Sequence, residues 1–361
     1  MQDSGRAPRT LDHVDQALVH ALQIAPRASW ARIASVLGLD AVTVARRWHR
    51  LTESGAAWIS CHPAPVLAAS GQGCLAFVEV DCAPDRLHPV ARALATAPHV
   101  AALSHVSGDR SLHLNVMARD LAALSRWVTR GLAPLDGVLG VHTHLAGPVH
   151  TEGSRWRLRA LDGQQVAQLA AAAPRTRTDT PAFTLDGLDQ RLVTALSVDG
   201  RATYRALAEQ CGASPDTVRR HVNRLFAADM LHARCEVARP LSEWPVAVSL
   251  WGQVPAAKLR EVTHRVTGMR EVRLCASVIS RHNLHLVAWV RSLDDAQRFE
   301  VRLAERAPDL TVTDRAVALW SMKHSGHLLD EEGYRVGATP LALWDEEEAE
   351  PTGPVPGVAP G

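Results

Sequence analysis

The segment TLDHVDQALVHALQIAPRASWARIASVLG that begins at residue 10 returns as TLDGLDQRLVTALSVDGRATYRALAEQCG at residue 184, so two copies of one unit make up this chain. Aligning 10–60 with 184–234 without gaps gives 18 identities in 51 positions, among them Leu11/Leu185, Asp15/Asp189, Gly38/Gly212, Thr43/Thr217, Arg46/Arg220 and Arg50/Arg224. Residue frequencies alone would give about four or five. A weaker echo sets VSGDRSLHL (106–114) against VISRHNLHL (278–286). The 361 residues therefore divide into paired domains rather than one small module.

Each copy opens on helices. Leu11, Val14, Asp15, Leu18 and Leu22 follow the three-and-four spacing of one buried stripe. A second helix over 29–37 stops at Gly38, suited to the left-handed backbone that ends helices. The third is capped by Asp40 in one copy and by Ser214-Pro215 in the other. Inside it Val44, Trp48 and Leu51, matched by Val218, Val222 and Leu225, turn inward, which leaves the opposite side exposed.

The period then changes. CLAFVEV (74–80) reads as a strand, Leu87, Val90, Ala91 and Leu94 as a helix, and the pattern continues through 99–106, 112–118, a helix near 121–128 and a strand near 138–145. That order is βαββαβ, and it fits 245–321 as well. The predicted fold class is α+β, with two helix-turn-helix domains (10–62 and 183–239) alternating with two ferredoxin-like domains (72–149 and 243–323). Residues 150–182 read as a linker with one helical piece, and 340–361 as a disordered acidic, Pro/Gly-rich tail.

Net charge is +1, so any contact with nucleic acid must come from a local patch. Such a patch exists. The exposed side of the third helix carries Thr43, Arg46, Arg47 and Arg50 in the first copy, and Asp216, Thr217, Arg219, Arg220, Asn223 and Arg224 in the second. Arginine and asparagine read guanine and adenine edges in the major groove, and threonine meets the thymine methyl or a phosphate. Double-stranded DNA is the expected partner. Because Val42, Ala45 and Arg47 become Asp216, Arg219 and His221, the two helices are expected to prefer different bases.

The six cysteines form no C-x-x-C pair, which argues against a zinc ribbon, and reduced cytosolic thiols follow. There is no 18-residue apolar run, and MQDSGRAPRT lacks a signal-peptide core; the expected location is the cytoplasm, with no membrane contact. Eighteen histidines invite a metal, but His142 with His144, His282 with His285, and His324 with His327 each supply only two ligands, so no metal or cofactor is expected. His113 and His285 occupy matching repeat positions; an ordinary packed or solvated histidine is the first expectation at each, and the sheets' partner surface or an effector pocket the second.

LDHVDQALVHALQIAPRASWARIASVLGLDAVTVARRWHRLTESGAAW and its partner from Leu185 resemble the winged helix-turn-helix of the Lrp/AsnC regulators, and the following βαββαβ unit resembles that family's ACT-like effector domain. The chain looks like a tandem form. The resemblance implies transcription control, homo-oligomers assembled through the sheet domains, and a small effector, commonly an amino acid. The family's glycine-aspartate turn matches Gly108-Asp109, with Ser107 beside it, so effector contact carries over to these three residues. Ser280-Arg281 stands at that turn in the second copy.

The resulting expectation is a DNA-binding regulator that is not an enzyme, with its two sheet domains packed as an internal pseudo-dimer. Two alternatives stand beside it. Siroheme decarboxylases are similar in plan, and Arg281-His282 with His285 are faintly similar to their Arg/His-bearing strand region. The other is an interaction scaffold without DNA affinity.

Overall fold

A computed structural model describes residues 10–171 and 183–344. The first copy opens with α1 (His13–Ile24), α2 (Trp30–Leu37) and α3 (Ala41–Glu53), then strand β1 (Ala57–Pro63) and the short α4 (Pro65–Ala69). Its βαββαβ unit is β2 (Cys74–Cys82), α5 (Leu87–Ala95), β3 (Val100–Val106), β4 (Leu112–Ala118), α6 (Leu121–Arg126) and β5 (Val138–Thr151). Helix α7 (Gly163–Ala170) leads toward the second copy: α8 (Gly187–Val198), α9 (Tyr204–Cys211), α10 (Pro215–Ala227), β6 (Leu231–Val237), β7 (Val246–Gln253), α11 (Leu259–Val266), β8 (Val272–Ile279), β9 (Leu284–Val290), α12 (Leu293–Arg306) and β10 (Thr311–His324). A hairpin of β11 (His327–Leu329) and β12 (Arg335–Ala338) follows.

The helix signals act as read. Asp12, Ser29 and Asp40 accept backbone N–H bonds at the starts of α1, α2 and α3, and Asp186, Thr203 and Ser214 do the same for α8, α9 and α10. Gly38 and Gly212 both close their helices at φ +67°.

Two features join the copies. β1 pairs antiparallel with β6, Ala57 opposite Val237 and Pro63 opposite Leu231, so the two helical units share one ribbon. The βαββαβ strands close into a ring in the order β10-β3-β4-β2-β5-β8-β9-β7, which returns to β10. Strands β5 and β10, each 14 residues, run past their own sheets to pair with β8 and β3 of the other copy. The internal pseudo-dimer is thus a barrel without an open edge among these eight strands.

Alternation along each strand sorts the side chains. Ala76, Val78 and Val80, with Leu112, Leu114 and Val116, face the helices and form one core; Leu284, Leu286, Ala288 and Val290 do so in the second copy. The residues between them fill the barrel interior.

Both connecting stretches are more ordered than their composition suggests. Leu169 of α7 is fully buried in the first helical core, and Arg32 bonds the Gln168 carbonyl at 2.8 Å. Of the region 150–182 read as linker, 150 and 151 end β5, Leu158, Leu161 and Leu169 pack on the first helical unit, and 172–182 lie outside the described residues. The β11–β12 hairpin, which sequence patterning did not anticipate, packs Leu329 and Tyr334 into that same core. Leu341 and Leu343 are buried, so the tail cannot begin at 340; the expected disorder over 345–361 falls outside the described residues.

Candidate active site

Phe77, Glu79, His113, Trp251 and His285 meet inside the barrel. His113 and His285 lie 5.2 Å apart between ring centroids, and Trp251 stacks on His285 at 4.0 Å. Glu79 accepts from Arg110 at 2.7 Å and lies 3.4 Å from His144 Nε2. Burial would raise this carboxyl, but His144 and Arg110 outweigh it and hold it below its usual range. Burial pushes His113 down to about 4 and His285 well below the ordinary imidazole value, so both rings are neutral at pH 7. His113 Nε2 and both His285 nitrogens are buried without a hydrogen-bond partner.

Between this interior and the β1–β6 ribbon lies a chamber. Its wall includes Ala102 and Ser104 of β3, His113 and Asn115 of β4, Ser249 of β7, Trp289 of β9, Ser321 and His324 of β10, and Trp58, Arg234 and Glu236 of the ribbon. Arg239 and Arg273 complete its cationic side. An adjoining, more apolar cavity lined by Pro63, Leu67, Leu75, Met117, Val149 and Leu343 shares Ala102, Asn115, Arg234, Leu274 and His324 with it. Counted with their open mouths, the two spaces hold about 950 and 970 Å³, and they open into one another through the shared lining.

Most of the charge here is paired. Glu236 accepts from Arg273 at 3.0 Å, bonds His324 at 3.1 Å and forms an ion pair with Arg234 Nε at 3.2 Å; burial opposes ionisation, but Arg273, His324 and Arg234 together keep the carboxyl well below its usual value. Arg273 also sits 3.8 Å over the Trp289 ring. Arg239 differs: it donates to Ser321 Oγ at 2.6 Å, and burial, with neighbouring Arg273, lowers it to about 10. A half-buried guanidinium bonded to a hydroxyl favours an anionic ligand.

Of the helix-face residues, Arg46, Arg50, Asp216, Arg219, Arg220, Asn223 and Arg224 are exposed and Thr43, Arg47 and Thr217 half-buried. Several have structural partners. Buried Asp15 accepts from Arg47 at 2.8 Å and Arg50 at 2.6 Å, and buried Asp189 bonds His221 at 2.8 Å and Arg224 at 2.6 Å. The repeat thus preserves a clamp between first and third helices, and that clamp occupies Arg47, Arg50 and Arg224. Arg219 pairs with Asp216 at 3.1 Å.

Ser107, Gly108 and Asp109 are not among the chamber's lining, although Val106 just before them is. Ser107 exchanges bonds with the Val317 backbone at 2.9 Å, Gly108 adopts φ +98°, and Asp109 is exposed. The turn's next residue, Arg110, is buried and joins Glu79 to Asp314. The sequence offers His113 first as an ordinary packed or solvated histidine and second as a partner-surface or effector-pocket residue, and it gives no sign of Arg234, Glu236, Arg239 and Arg273, whose meeting depends on the register between the two copies. His324, weighed there as one of a histidine pair with His327, instead bonds Glu236.

Residues 75–149 match the Lrp/AsnC ligand binding domain, and residues 11–52 and 185–225 match the AsnC-type helix-turn-helix domain. An uncharacterized HTH-type transcriptional regulator of Pyrococcus abyssi is 30% identical over 148 residues, which is 40% of this chain and 90% of the relative. The chain belongs to the Lrp/AsnC family. A Bkd operon transcriptional regulator of Pseudomonas aeruginosa is 29% identical over 140 residues, 38% of this family member and 90% of that protein. Among solved structures, siroheme decarboxylase NirDL in complex with an iron-uroporphyrin III analogue matches 92% of this chain and 96% of its own, with TM-score 0.57 and 15% identity. The fold of this Lrp/AsnC member is therefore shared, across both copies, with an enzyme. That finding corrects the expectation of a non-enzyme: sequence reading inferred it from cations on the outer helices, whereas the second cationic group lies inside and becomes visible only once the copies pack together.

Proposed function

We propose that this chain acts on a carboxylate-bearing tetrapyrrole, in the manner of the siroheme decarboxylases. The observation that carries the reading is Arg239, a half-buried cation with a hydroxyl partner in the wall of a chamber that also holds the unpartnered His113 Nε2. The adjoining apolar space supports a large flat ring, and Arg239 with Arg273 supports its acidic side chains. Further arginines, Arg155, Arg157, Arg159 and Arg270, line a neighbouring cavity in which Glu152 is the acidic member.

In this reading a side-chain acetate loses its carboxylate as CO2. The bond between the methylene and carboxylate carbons breaks, its electron pair stays on the methylene carbon and spreads into the pyrrole, and a proton converts that carbon to methyl. His113 supplies the proton and recovers it from water. A substrate carboxylate beside the ring raises its low value by favouring the charged imidazole. Incubating the purified chain with siroheme and following its mass tests this: loss of CO2 supports the proposal, and unaltered siroheme contradicts it.

A second reading has its own observation. Arg46 and Arg220, at equivalent repeat positions, are both exposed, and among the described residues neither forms an ion pair. They support DNA contact by the third helices, with regulation by a small effector at the sheet domains. The fused copies would then present two unlike readers to unlike half-sites. Selection of bound sequences from random duplexes tests it.

A further inference from the structure

The β1–β6 register sets His62 opposite His232, and the two imidazoles meet edge to face with centroids 5.8 Å apart. Glu152, just beyond β5, reaches the same point. Its Oε1 is 3.1 Å from His232 Nδ1 and its Oε2 is 3.4 Å from His62 Nε2. One ligand atom from each of the three lies within 4.8 Å of the others. Three residues from three separate segments, 62, 152 and 232, thus bring two imidazole nitrogens and one carboxylate to a single point.

We propose that His62, Glu152 and His232 form a binding site for a divalent zinc-class cation, with an open coordination position. Two histidines and one carboxylate are a donor set for zinc that retains an exchangeable ligand. The 3.1 Å between His232 Nδ1 and Glu152 Oε1, with an atom of each of the three residues within 4.8 Å of the others, suits ligands drawn in about one ion at roughly 2.0–2.2 Å from each.

The surroundings are those of a metal site too. Asp229 accepts from His232 Nε2 at 3.1 Å, the carboxylate behind a ligating histidine that fixes ring orientation and leaves Nδ1 for the metal. Glu152 Oε2 accepts from the Ser154 N–H at 2.8 Å and from Arg234, while Oε1 accepts only from the Ser154 hydroxyl and His232, and a hydroxyl can turn away to leave Oε1 to the ion. His62 Nδ1 is buried and unpartnered, and His62 and Glu152 also line the apolar cavity, which supplies the open side. The other acidic-histidine cluster, Asp186, Asp189 and His221, offers one histidine only, and both its carboxylates pair with Arg224.

The site stands apart from the tetrapyrrole reading, because its test reads metal and not decarboxylation. The metal-stripped full chain is titrated with zinc(II) by calorimetry and with cobalt(II) by visible absorption. The expected result is one ion per chain, with ligand-field bands of low-coordinate cobalt(II). His62→Gln and His232→Gln should each weaken binding by about 100-fold and Asp229→Asn by about 10-fold. Exposed His142→Gln should bind as the parent does. Circular dichroism of each variant separates loss of the site from loss of the fold, and Asp229→Asn, which touches no ligand atom of Glu152, gives a second readout. No stoichiometric uptake by the parent, or uptake unchanged in His62→Gln and His232→Gln, overturns the proposal.

Discussion

Arg27 and Arg201, equivalent residues of the two copies, cap each other's turns. Arg27 donates to the Gly200 and Ala202 carbonyls at 2.5 and 3.0 Å, and Arg201 donates to those of Pro26 and Ala28 at 2.6 and 2.9 Å. Arg201 also lies 3.8 Å over the Trp30 ring. The two helical units are thereby fixed to one another, and with them the ribbon that forms one wall of the chamber.

Arg201→Ala should destabilise the chain by about 2–3 kcal/mol, since it removes two charge-assisted bonds and a stacked cation. Arg27→Ala should cost somewhat less, having no stack as close. Denaturant melts of both single variants and the double check this, with a non-additive double because the two guanidinia share one turn pair.

Lys323 gives a pH signature. Its side chain is buried, its Nζ donates to the Ala97 carbonyl at 2.9 Å, and burial lowers it to about 7. Between pH 7 and the ordinary lysine value the unfolded chain holds a proton that the folded chain lacks, so stability rises with pH across that window. The slope from this residue approaches about 1.4 kcal/mol per pH unit. Lys323→Met should flatten it, which unfolding measured at pH 7, 8 and 9 would reveal.

The second reading makes its own demand. Arg46→Ala with Arg220→Ala should leave the melting temperature within a degree or two, as surface changes do, while lowering affinity for a selected duplex by about 10-fold or more. Equal binding by parent and double variant in a gel-shift titration would remove DNA contact from these helices.

Much of this architecture is legible in the sequence, for identifiable reasons. Helix caps such as Asp40 and Ser214, the terminal Gly38 and Gly212, and alternation in Leu112–Val116 are local signals, and local signals set local structure. The clamp of Arg50 on Asp15 was not read, because both arginine faces of α3 carry the same residue type and only the neighbouring α1 tells them apart. The chamber was harder still. Arg239 and Ser321 are 82 residues apart and His62 and His232 belong to different copies, so nothing short of strand register brings them together.

The account rests most heavily on Arg239 as the anchor for an anionic tetrapyrrole. Equilibrium titration of the purified chain with a carboxylated iron porphyrin, followed by Soret absorption, tests it directly. Saturable one-to-one binding is expected, weakened about 10- to 100-fold in Arg239→Ala, partly restored in Arg239→Lys, and unchanged in Arg46→Ala. Absence of saturable binding, or equal affinity in the parent and Arg239→Ala, would contradict it.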